Sequence, residues 1–512
     1  MMKRIESSRN IFLIVCAFMV TISGNSQVSS DGIAIDPAKE YALNYLGQSE
    51  IVESFGEISD AIWSYAELGL QEYKSSGLLA KTLEKEGFTV EMGLAGMPTC
   101  FVATYGSGKP VIGILGEFDA LPMLSQKGRI PSQDPIIEGA PGHGCGHNTM
   151  GTAATAAAIA VKKAMDQYSI KGTIKVFGSP AEENLISRPY MIRAGLFNEV
   201  DAVIDNHSDY HFRTGYGVKG SAMFSTIFSF KGKTAHGGSA WRGNSALDAV
   251  ELMNVATNYL REHLHFGHRM HYVILEGGEA PNVVPDAASV WYYIRNSDEK
   301  IEEMYNKVIN CAKAAALATG TELEIRCLTA VHQMHANKAA AELYQKNIEL
   351  VGMPEWTEEE NEFAKQLQKN LGVKIKGMPN EVDSIKIYTG PFTGGGSTDV
   401  GDVSLIAPTA TILFPGGVPG KIPHHWSSVA CNYGSLAWKG LNAGAKAIAA
   451  SAIDLLTKPD ELKKLRTEFE QYSEKHPYKT FLPENTEPPL DINGALMQKW
   501  RGKMEDFYLN YK

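Results

Sequence analysis

The 512-residue sequence predicts the α/β fold class, with a mixed-sheet domain that is interrupted by a smaller inserted domain. Three observations support this prediction. Helix-like and strand-like segments alternate up to about residue 214, which is typical of α/β domains. Between residues 215 and 332 the order becomes strand, helix, two strands, helix, strand, which is the βαββαβ order of a ferredoxin-like unit. The chain is also long for a single hydrophobic core, so two domains are expected.

The larger domain begins with helices. Apolar residues recur at three- and four-residue intervals from Asp36 to about Leu68, and a second helix is predicted from Ser75 to Glu86. An alanine-rich segment from Thr149 to about Met165 predicts a longer helix, with Asn148 as its N-cap. Short apolar segments predict strands at residues 88–92, 100–105, 111–115, 172–178 and 201–205.

The inserted domain is predicted to start with a strand from Val218 to Phe230 and to end with one from Glu322 to Thr329. Between them lie helices at 245–264 and 300–318 and strands at 270–275 and 287–294. The larger domain then resumes, with helices at 338–351, 358–371 and 431–456 and a strand within 404–413. The resulting division is a signal segment (1–26), the two parts of the larger domain (27–214 and 333–457), the inserted domain (215–332) and a C-terminal extension (458–512).

The N-terminus has the pattern of a secretory signal peptide. Lys3, Arg4 and Arg9 precede an apolar run over Ile11–Ile22, and small and polar residues follow it. This run is too short to span a bilayer, so no stable membrane span is expected. The segment therefore predicts a secreted or periplasmic protein, the alternative being a cytosolic protein with an apolar start.

The charge composition gives no indication of a nucleic-acid partner. The formal net charge is −10, and no basic cluster suggests binding to nucleic acid, so small molecules or peptides are the expected ligands. Four cysteines are widely spaced, which predicts buried thiols and leaves one disulfide open: Cys100, Cys311, Cys327 and Cys431.

Three polar loops follow successive predicted strands or precede a helix. Cys145 and His147 lie just before the alanine-rich helix, Glu182 and Glu183 follow the strand at 172–178, and His207 follows the next strand. Ligands of open α/β sheets collect beyond the carboxyl ends of the strands, so these loops are expected to converge. A thiolate, imidazoles and a carboxylate suit zinc, or manganese with more oxygen ligands. Each group alone is more often structural, but together they predict one metal site.

Two further acids, Glu117 and Asp119, come directly after the strand at 111–115. Taken alone they describe a charged turn. Beside the other loops they become candidates for orienting metal-bound histidines.

Seven motifs carry a resemblance to a known family. They are Gly-Glu-Phe-Asp-Ala-Leu-Pro, Gly-His-x-Cys-Gly-His-Asn, Pro-Ala-Glu-Glu, Thr-Ala-His-Gly-Gly, Asn-Val-Val-Pro-Asp, Gly-Ser-Thr-Asp-Val-Gly-Asp-Val-Ser and His-His-Trp. The sequence thereby resembles the aminoacylase/carboxypeptidase family of dinuclear metallohydrolases, in its amidohydrolase branch. The resemblance implies a dinuclear-metal, exopeptidase-like catalytic domain with an inserted ferredoxin-like domain that serves as a lid or for dimerisation.

The resemblance also implies roles for individual residues. Two divalent ions per subunit, zinc or manganese, would be held by Cys145 as a bridging ligand and by His147, Glu183, His207 and His424. The other implied roles are general base (Glu182), oxyanion donor (His236), substrate binding (Asn282, Arg295) and support of the ligands (Asp119, Asp399). The residues alone do not decide between Glu182 and Glu183, or between His424 and His425, and the family pattern selects Glu183 and His424 as the ligands.

One departure from the family pattern concerns the acidic turn. Many relatives carry His-x-Asp after the third strand, with the histidine on metal, whereas this chain has Glu117-x-Asp119. This places the chain in the branch with Cys-Gly-His and leaves open whether Asp119 touches metal.

The implied activity is hydrolysis of the amide bond of N-acyl or N-aroyl amino acids, such as p-aminobenzoyl-glutamate. A metallo-dipeptidase or carboxypeptidase of the same family is one alternative, and a non-catalytic metal-binding assembly protein is another. A homodimer is expected, in which His236 reaches the metal site of the partner. A heterodimer with a paralogous chain is the alternative assembly.

Overall fold

The computed structural model describes residues 35–389, 396–509 and 511. The predicted signal segment lies outside these residues. Within them, no helix combines the length and the apolar character that crossing a membrane requires.

The chain folds into helices and strands in the following order. The helices are α1 (Pro37–Leu46), α2 (Ser49–Tyr65), α3 (Tyr73–Lys85), α4 (His147–Tyr168), α5 (Ser187–Arg193), α6 (Ala246–Leu260), α7 (Asp298–Thr319), α8 (Lys338–Val351), α9 (Glu358–Asn370), α10 (Val400–Ser404), α11 (Trp426–Cys431), α12 (Gly434–Thr457), α13 (Pro459–Ser473) and α14 (Gly494–Met504). The strands are β1 (Thr89–Met92), β2 (Phe101–Ser107), β3 (Val111–Glu117), β4 (Gly172–Ser179), β5 (Ala202–Asp209), β6 (Gly215–Lys219), β7 (Ala222–Lys231), β8 (Arg269–Glu276), β9 (Ala287–Asn296), β10 (Glu322–Val331), β11 (Met334–Ala336), β12 (Lys386–Tyr388) and β13 (Thr409–Pro415).

The larger sheet has six strands in the order β1-β2-β4-β3-β5-β13. Strands β4, β3, β5 and β13 run parallel, and the first two strands are antiparallel to their neighbours. In this register Glu117 lies opposite Ser179, and His207 lies opposite Leu413. The carboxyl ends of four strands therefore meet at one edge, as the sequence predicts.

Helices cover both faces of this sheet. One face buries a core that includes residues of α1, α2, α4, α8 and α12, and a second core with Tyr190, Met191 and Phe197 covers the other. Helix α4 comes unusually close to β3, because a Cβ atom at Gly151 would lie 2.6 Å from the carbonyl oxygen of Glu117. Glycine at this position lets the start of α4 lie against the end of β3.

The smaller antiparallel sheet has the order β10-β7-β9-β8. Its strands and helices follow one another as β7-α6-β8-β9-α7-β10, which is the predicted βαββαβ order. A separate hydrophobic core, with Phe228, Val290 and Val308 at 0% exposure, lies between this sheet and its two helices. Strand β8 forms an edge of the sheet, and most of its residues are exposed.

The single strand predicted from Val218 to Phe230 is wrong, because the chain forms two strands there. Strand β6 joins a three-stranded sheet with β11 and β12, whereas β7 belongs to the four-stranded sheet. The break falls at Gly220, whose φ of +74° suits glycine. Strand β6 thereby pairs with two segments from the second part of the larger domain.

The C-terminal extension contacts both domains. After α13, Leu482 enters the core of the larger domain, while Phe481 packs on that of the inserted domain. The Asn493 side chain donates to Asn184 Oδ1 at 3.1 Å, directly beside the two glutamates of the predicted site. The extension also contains α14, a helix that was not predicted from the sequence.

Local structure around the predicted ligands differs from the expectation in two details. Helix α4 begins at His147 with Gly146 as its N-cap, so Asn148 lies inside the helix. The Asn148 amide instead donates to the Ser59 hydroxyl at 3.0 Å. His207 lies within β5 and not after it. Among the described residues all five cysteines are free thiols, and of the four predicted to be buried only Cys311 is partly exposed.

Candidate metal centre

The edge where the parallel strands end collects the predicted ligands. Glu117 ends β3, His147 begins α4, and Glu182 and Glu183 form a short 3₁₀ turn after β4. His207 lies near the end of β5. Cys145 and His424 come from loops, and His424 has a left-handed φ of +53°.

Two groups of donor atoms share the Cys145 thiol. Cys145, His147 and His207 form the first group, and Cys145 forms the second with Glu183 and His424. Within each group the donor atoms all lie within 4.8 Å of one another. A third group consists of Glu117, His147 and Glu182. The structure thus brings together all five residues that the resemblance assigned to metal, with Cys145 between two sets.

The two histidines of the first group turn Nε2 towards this cluster. His147 Nδ1 donates to Asp119 Oδ1 at 2.7 Å, and His207 Nδ1 donates to the Ser208 carbonyl at 2.9 Å. His207 Nε2 lies 3.4 Å from Cys145 Sγ. Holding one ring nitrogen in a hydrogen bond fixes the tautomer that leaves the other free for metal. Asp119 therefore makes the contact that its predicted supporting role requires.

The paired histidines before α11 have different positions. His424 Nε2 lies 3.3 Å from Glu183 Oε2. His425 is the N-cap of α11, and its side chain accepts from the Ser427 amide. The geometry places His424 in the cluster and His425 outside it.

The cluster has the properties expected of a site for divalent cations. Glu117 Oε2, His147 Nε2 and Glu183 Oε1 are buried and have no hydrogen-bond partner among the described residues. They face one another, since His147 Nε2 lies 3.3 Å from Glu117 Oε2 and 3.9 Å from Glu183 Oε1. Burial and neighbouring acids raise the pKa of Glu183 to about 8, and burial and Glu183 raise the pKa of the Cys145 thiol to about 12. Cations would offset this concentration of buried negative charge, so the residues fit a pair of ions.

A buried ion network lies beneath the cluster. Arg188, at 0% side-chain exposure, donates to Glu117 Oε1 at 2.7 Å and also pairs with Asp399. Asp399 accepts the Arg188 backbone amide at 3.0 Å. Asp399 thus contacts no histidine of the cluster and acts through Arg188 on Glu117. Arg188 was not predicted from the sequence, because nothing in its local pattern separates a buried arginine from a surface one.

Of the three site residues predicted in the inserted domain, one lies at the cluster and two lie elsewhere. Arg295, on β9, lines a cavity of about 780 Å³ that also contains Cys145, Glu183 and His424. His236 and Asn282 lie together elsewhere, joined by a hydrogen bond from the Gly237 amide to the Asn282 carbonyl at 2.7 Å. Both are exposed, and neither lines the cavity. A single chain therefore brings Arg295 to the cluster but not His236 or Asn282.

Comparison with known proteins places this geometry in context. Residues 113–450 match the model of peptidase family M20/M25/M40. The chain is 36% identical over 462 residues to the B subunit of p-aminobenzoyl-glutamate hydrolase of Escherichia coli K12, covering 85% of this chain and 96% of the relative. It is 28% identical to the Xaa-Arg dipeptidase of Mus musculus, covering 82% and 90%.

Solved structures share the fold. An aminobenzoyl-glutamate utilization protein from Klebsiella pneumoniae superposes with a TM-score of 0.56 at 16% identity, covering 80% of this chain and 97% of the other. A dinuclear metal binding peptidase from Bacillus subtilis gives 0.50 at 17% identity, covering 80% and 99%.

The family match spans the whole edge at which the cluster forms, from β3 to α12, and the E. coli and mouse relatives are both hydrolases. With its paired donor groups at this edge, the chain belongs to peptidase family M20/M25/M40 and is a metal-dependent hydrolase.

Proposed function

We propose that this hydrolase cleaves the amide bond of N-acyl or N-aroyl amino acids, with p-aminobenzoyl-glutamate as a substrate. The observation that carries the proposal is the pair of donor groups sharing Cys145, with a further glutamate, Glu182, beside them. Similarity to the E. coli hydrolase over nearly its whole length supports the choice of substrate.

The cluster residues divide into ligands and a base. Cys145, His147, Glu183, His207 and His424 would hold two divalent ions, zinc or manganese. When bound, such ions supply Lewis-acid polarisation of a carbonyl and lower the pKa of water. Glu182 forms no group with Cys145, and its Oε2 lies 3.8 Å from His147 Nε2. We assign Glu182 as the general base, which takes a proton from the attacking water and delivers it to the leaving nitrogen.

Arg295 would bind the free carboxylate next to the scissile amide. Its guanidinium has no ion pair among the described residues, and its Nε has no hydrogen-bond partner there. The guanidinium carbon lies 5.5 Å from the Tyr293 ring centroid, which restricts its position. A guanidinium held in this way suits bidentate binding of a carboxylate.

The other candidate activity is a dipeptidase, which uses the same chemistry on a different amide. Similarity to the mouse Xaa-Arg dipeptidase favours it, although the identity is lower than to the hydrolase. A non-catalytic assembly protein has less support, because every predicted ligand and the predicted base are present.

For the assembly we propose a dimer through the inserted domain. Edge strand β8 exposes Val273 and Leu275 by 54% and 49%, and α6 exposes Val255 by 49%. An exposed apolar edge strand is a surface that pairs readily with another chain. The E. coli relative is named as the B subunit of its enzyme, so a heterodimer with a paralogous chain is the alternative. The signal pattern leads us to propose export from the cytoplasm.

A hydrolysis screen combined with metal analysis tests the proposal. We expect about two divalent ions per chain, hydrolysis of p-aminobenzoyl-glutamate, and loss of activity with a chelator. An analogue with its α-carboxylate capped as an amide should react at least ~10-fold more slowly, since one charged hydrogen bond is lost. Hydrolysis of dipeptides alone would favour the dipeptidase, and a metal-loaded protein inactive on every amide would favour the assembly protein.

A further inference from the structure

The acidic and basic residues that line the cavity beside the donor groups occupy different parts of it. Its acidic lining residues are Glu117, Glu182, Glu183 and Asp205, and its basic lining residues are Lys219, Arg295 and Lys386. The acids form the floor with the cluster, whereas the basic residues come from β6, β9 and β12. Among the described lining residues, the walls away from the cluster thus carry only positive charge.

Three of the four acids of the floor already have partners. Glu117 pairs with Arg188 at 2.7 Å, Asp205 accepts from the Thr411 hydroxyl at 2.7 Å, and Glu183 faces His424 at 3.3 Å. These carboxylates are committed to the cluster and its support. The fourth acid, Glu182, lies 3.8 Å from His147 Nε2 and is the proposed general base.

The basic residues of the walls have no such partners. Within the described chain, no carboxylate lies within 4.0 Å of Lys219, Arg295 or Lys386. The neighbouring residues 390–395 read Gly-Pro-Phe-Thr-Gly-Gly and contain no acid either. Three cations therefore line one cavity with no carboxylate of the described chain close enough for an ion pair, and their positive charge favours an anionic ligand on these walls.

Neighbouring strands bring the two lysines to one wall of the cavity. Lys386 lies opposite Gly215 and Tyr388 opposite Gly217 in the parallel pair of β12 and β6. Lys219 ends β6, two residues beyond Gly217. A Cβ at Gly215 would lie 2.7 Å from the Lys386 carbonyl oxygen and 2.8 Å from the Tyr388 ring, so glycine allows β12 to pack closely on β6. The result is a wall with Lys219, Lys386 and Tyr388 on the side of the cavity.

Arg295 and Lys219 line the same cavity as three members of the cluster, Cys145, His207 and His424. Both cations therefore face the space in which a substrate meets the two donor groups that share Cys145.

We propose that Lys219 and Lys386 form a second anion subsite, which selects substrates whose amino-acid half is a dicarboxylate, glutamate or aspartate. The inference rests on the proposed function, in which Arg295 takes the α-carboxylate. Lys219 and Lys386 then take the side-chain carboxylate. The same wall disfavours a cationic side chain, so an arginine at this position is a poor substrate.

The test compares two substrates of nearly equal shape, p-aminobenzoyl-glutamate and p-aminobenzoyl-glutamine. Wild type should prefer the acid by at least ~10-fold in kcat/KM, with the difference mainly in KM. Lys219→Gln and Lys386→Gln should each lower this ratio, and the double variant should bring it close to one. Lys231→Gln is the matched control, because Lys231 is an exposed strand lysine outside the cavity lining, and it should keep the wild-type ratio.

Several results would overturn the subsite. They are an unchanged ratio in the double variant, an equal loss on both substrates, or turnover of p-aminobenzoyl-arginine as fast as the glutamate compound. Calorimetric binding of glutamate and glutamine to the metal-loaded Glu182→Gln protein separates the two proposals. A preference for glutamate that Lys219→Gln abolishes supports the subsite even if aroyl amino acids are not cleaved, and no preference rejects it.

Discussion

His147 and His236 are both histidines that the sequence assigns to the active site, but their surroundings differ. His147 has a fully buried side chain, and its Nδ1 donates to Asp119 at 2.7 Å. His236 is exposed, and its Nδ1 accepts the Gly238 amide at 2.9 Å. The larger domain holds His147 among buried partners, although its His424 side chain is 54% exposed, whereas the inserted domain presents His236 and Asn282 to solvent.

This contrast indicates which parts of the site one chain completes. The two donor groups that share Cys145 need nothing from outside the chain. An oxyanion donor at His236 needs either a large movement of the inserted domain or a second chain. The exposed apolar residues of β8 and α6 favour the second chain.

The largest expected effects concern the two glutamates of the buried cluster, Glu182 and Glu183. Glu182→Gln should keep both metal ions and lose ~10²–10⁴-fold in kcat, because a general base is removed while the ligands remain. Glu183→Gln should lose metal as well, because Glu183 belongs to a donor group with Cys145 and His424. Metal content by mass spectrometry and steady-state kinetics measure the two effects. Loss of metal in the Glu182 variant would reverse the two assignments.

The proposed role of the exposed His236 in a partner's site is tested by mixing two inactive variants. His236→Ala and Glu182→Ala remove different groups, so a mixed dimer has one site with both groups intact. Random exchange of subunits in a symmetric dimer should restore about a quarter of wild-type activity. No recovery, under conditions in which labelled subunits are seen to exchange, would place His236 outside the reaction.

The sequence predicted the cluster better than its support. Cys145 and His147 are identified by their chemistry and by loops that must converge after parallel strands, whereas His424 is identified by the family resemblance. Arg188 and strand β6 were missed for a physical reason. Whether an arginine is buried, or a strand breaks at Gly220 to join another sheet, depends on contacts between segments far apart in the chain.

Substitution of two arginines compares the contributions of a buried and an exposed ion pair to the free energy of unfolding. Arg188→Met should destabilise the metal-free protein by about 3–5 kcal/mol, because Glu117 and Asp399 are left buried without a counter-charge. Arg326→Met should cost about 0–1 kcal/mol, because Arg326 and its partner Asp491 are 42% and 67% exposed. Urea denaturation measures both. Equal effects would mean that the buried network contributes no more to the free energy of unfolding than the exposed pair does.

His332 lies where the inserted domain meets the larger domain, and its protonation is expected to stabilise the fold. His332, just after β10, stacks on Phe481 of the C-terminal extension at 3.8 Å and lies 3.4 Å from Asp298. Its backbone amide donates to Asp402 of the larger domain at 3.0 Å. Burial alone would lower the pKa of His332, but Asp298 and Asp402 outweigh it and raise the pKa to about 9.

A pKa above the unfolded value means that protonated His332 stabilises the fold. That contribution is fully present below about pH 6.5 and is lost as the pH rises through about 9. The free energy of unfolding of wild type relative to His332→Gln should therefore fall by about 2 kcal/mol between pH 7 and pH 9. Asp402, with a pKa raised to about 6 by burial, is already ionised over most of this range.

His335→Gln is the matched control, because burial lowers the pKa of His335 to about 4 and keeps it neutral throughout. Urea denaturation at several pH values measures the difference, and an equal pH dependence in both variants would show that the contact between the two domains does not depend on the charge of His332.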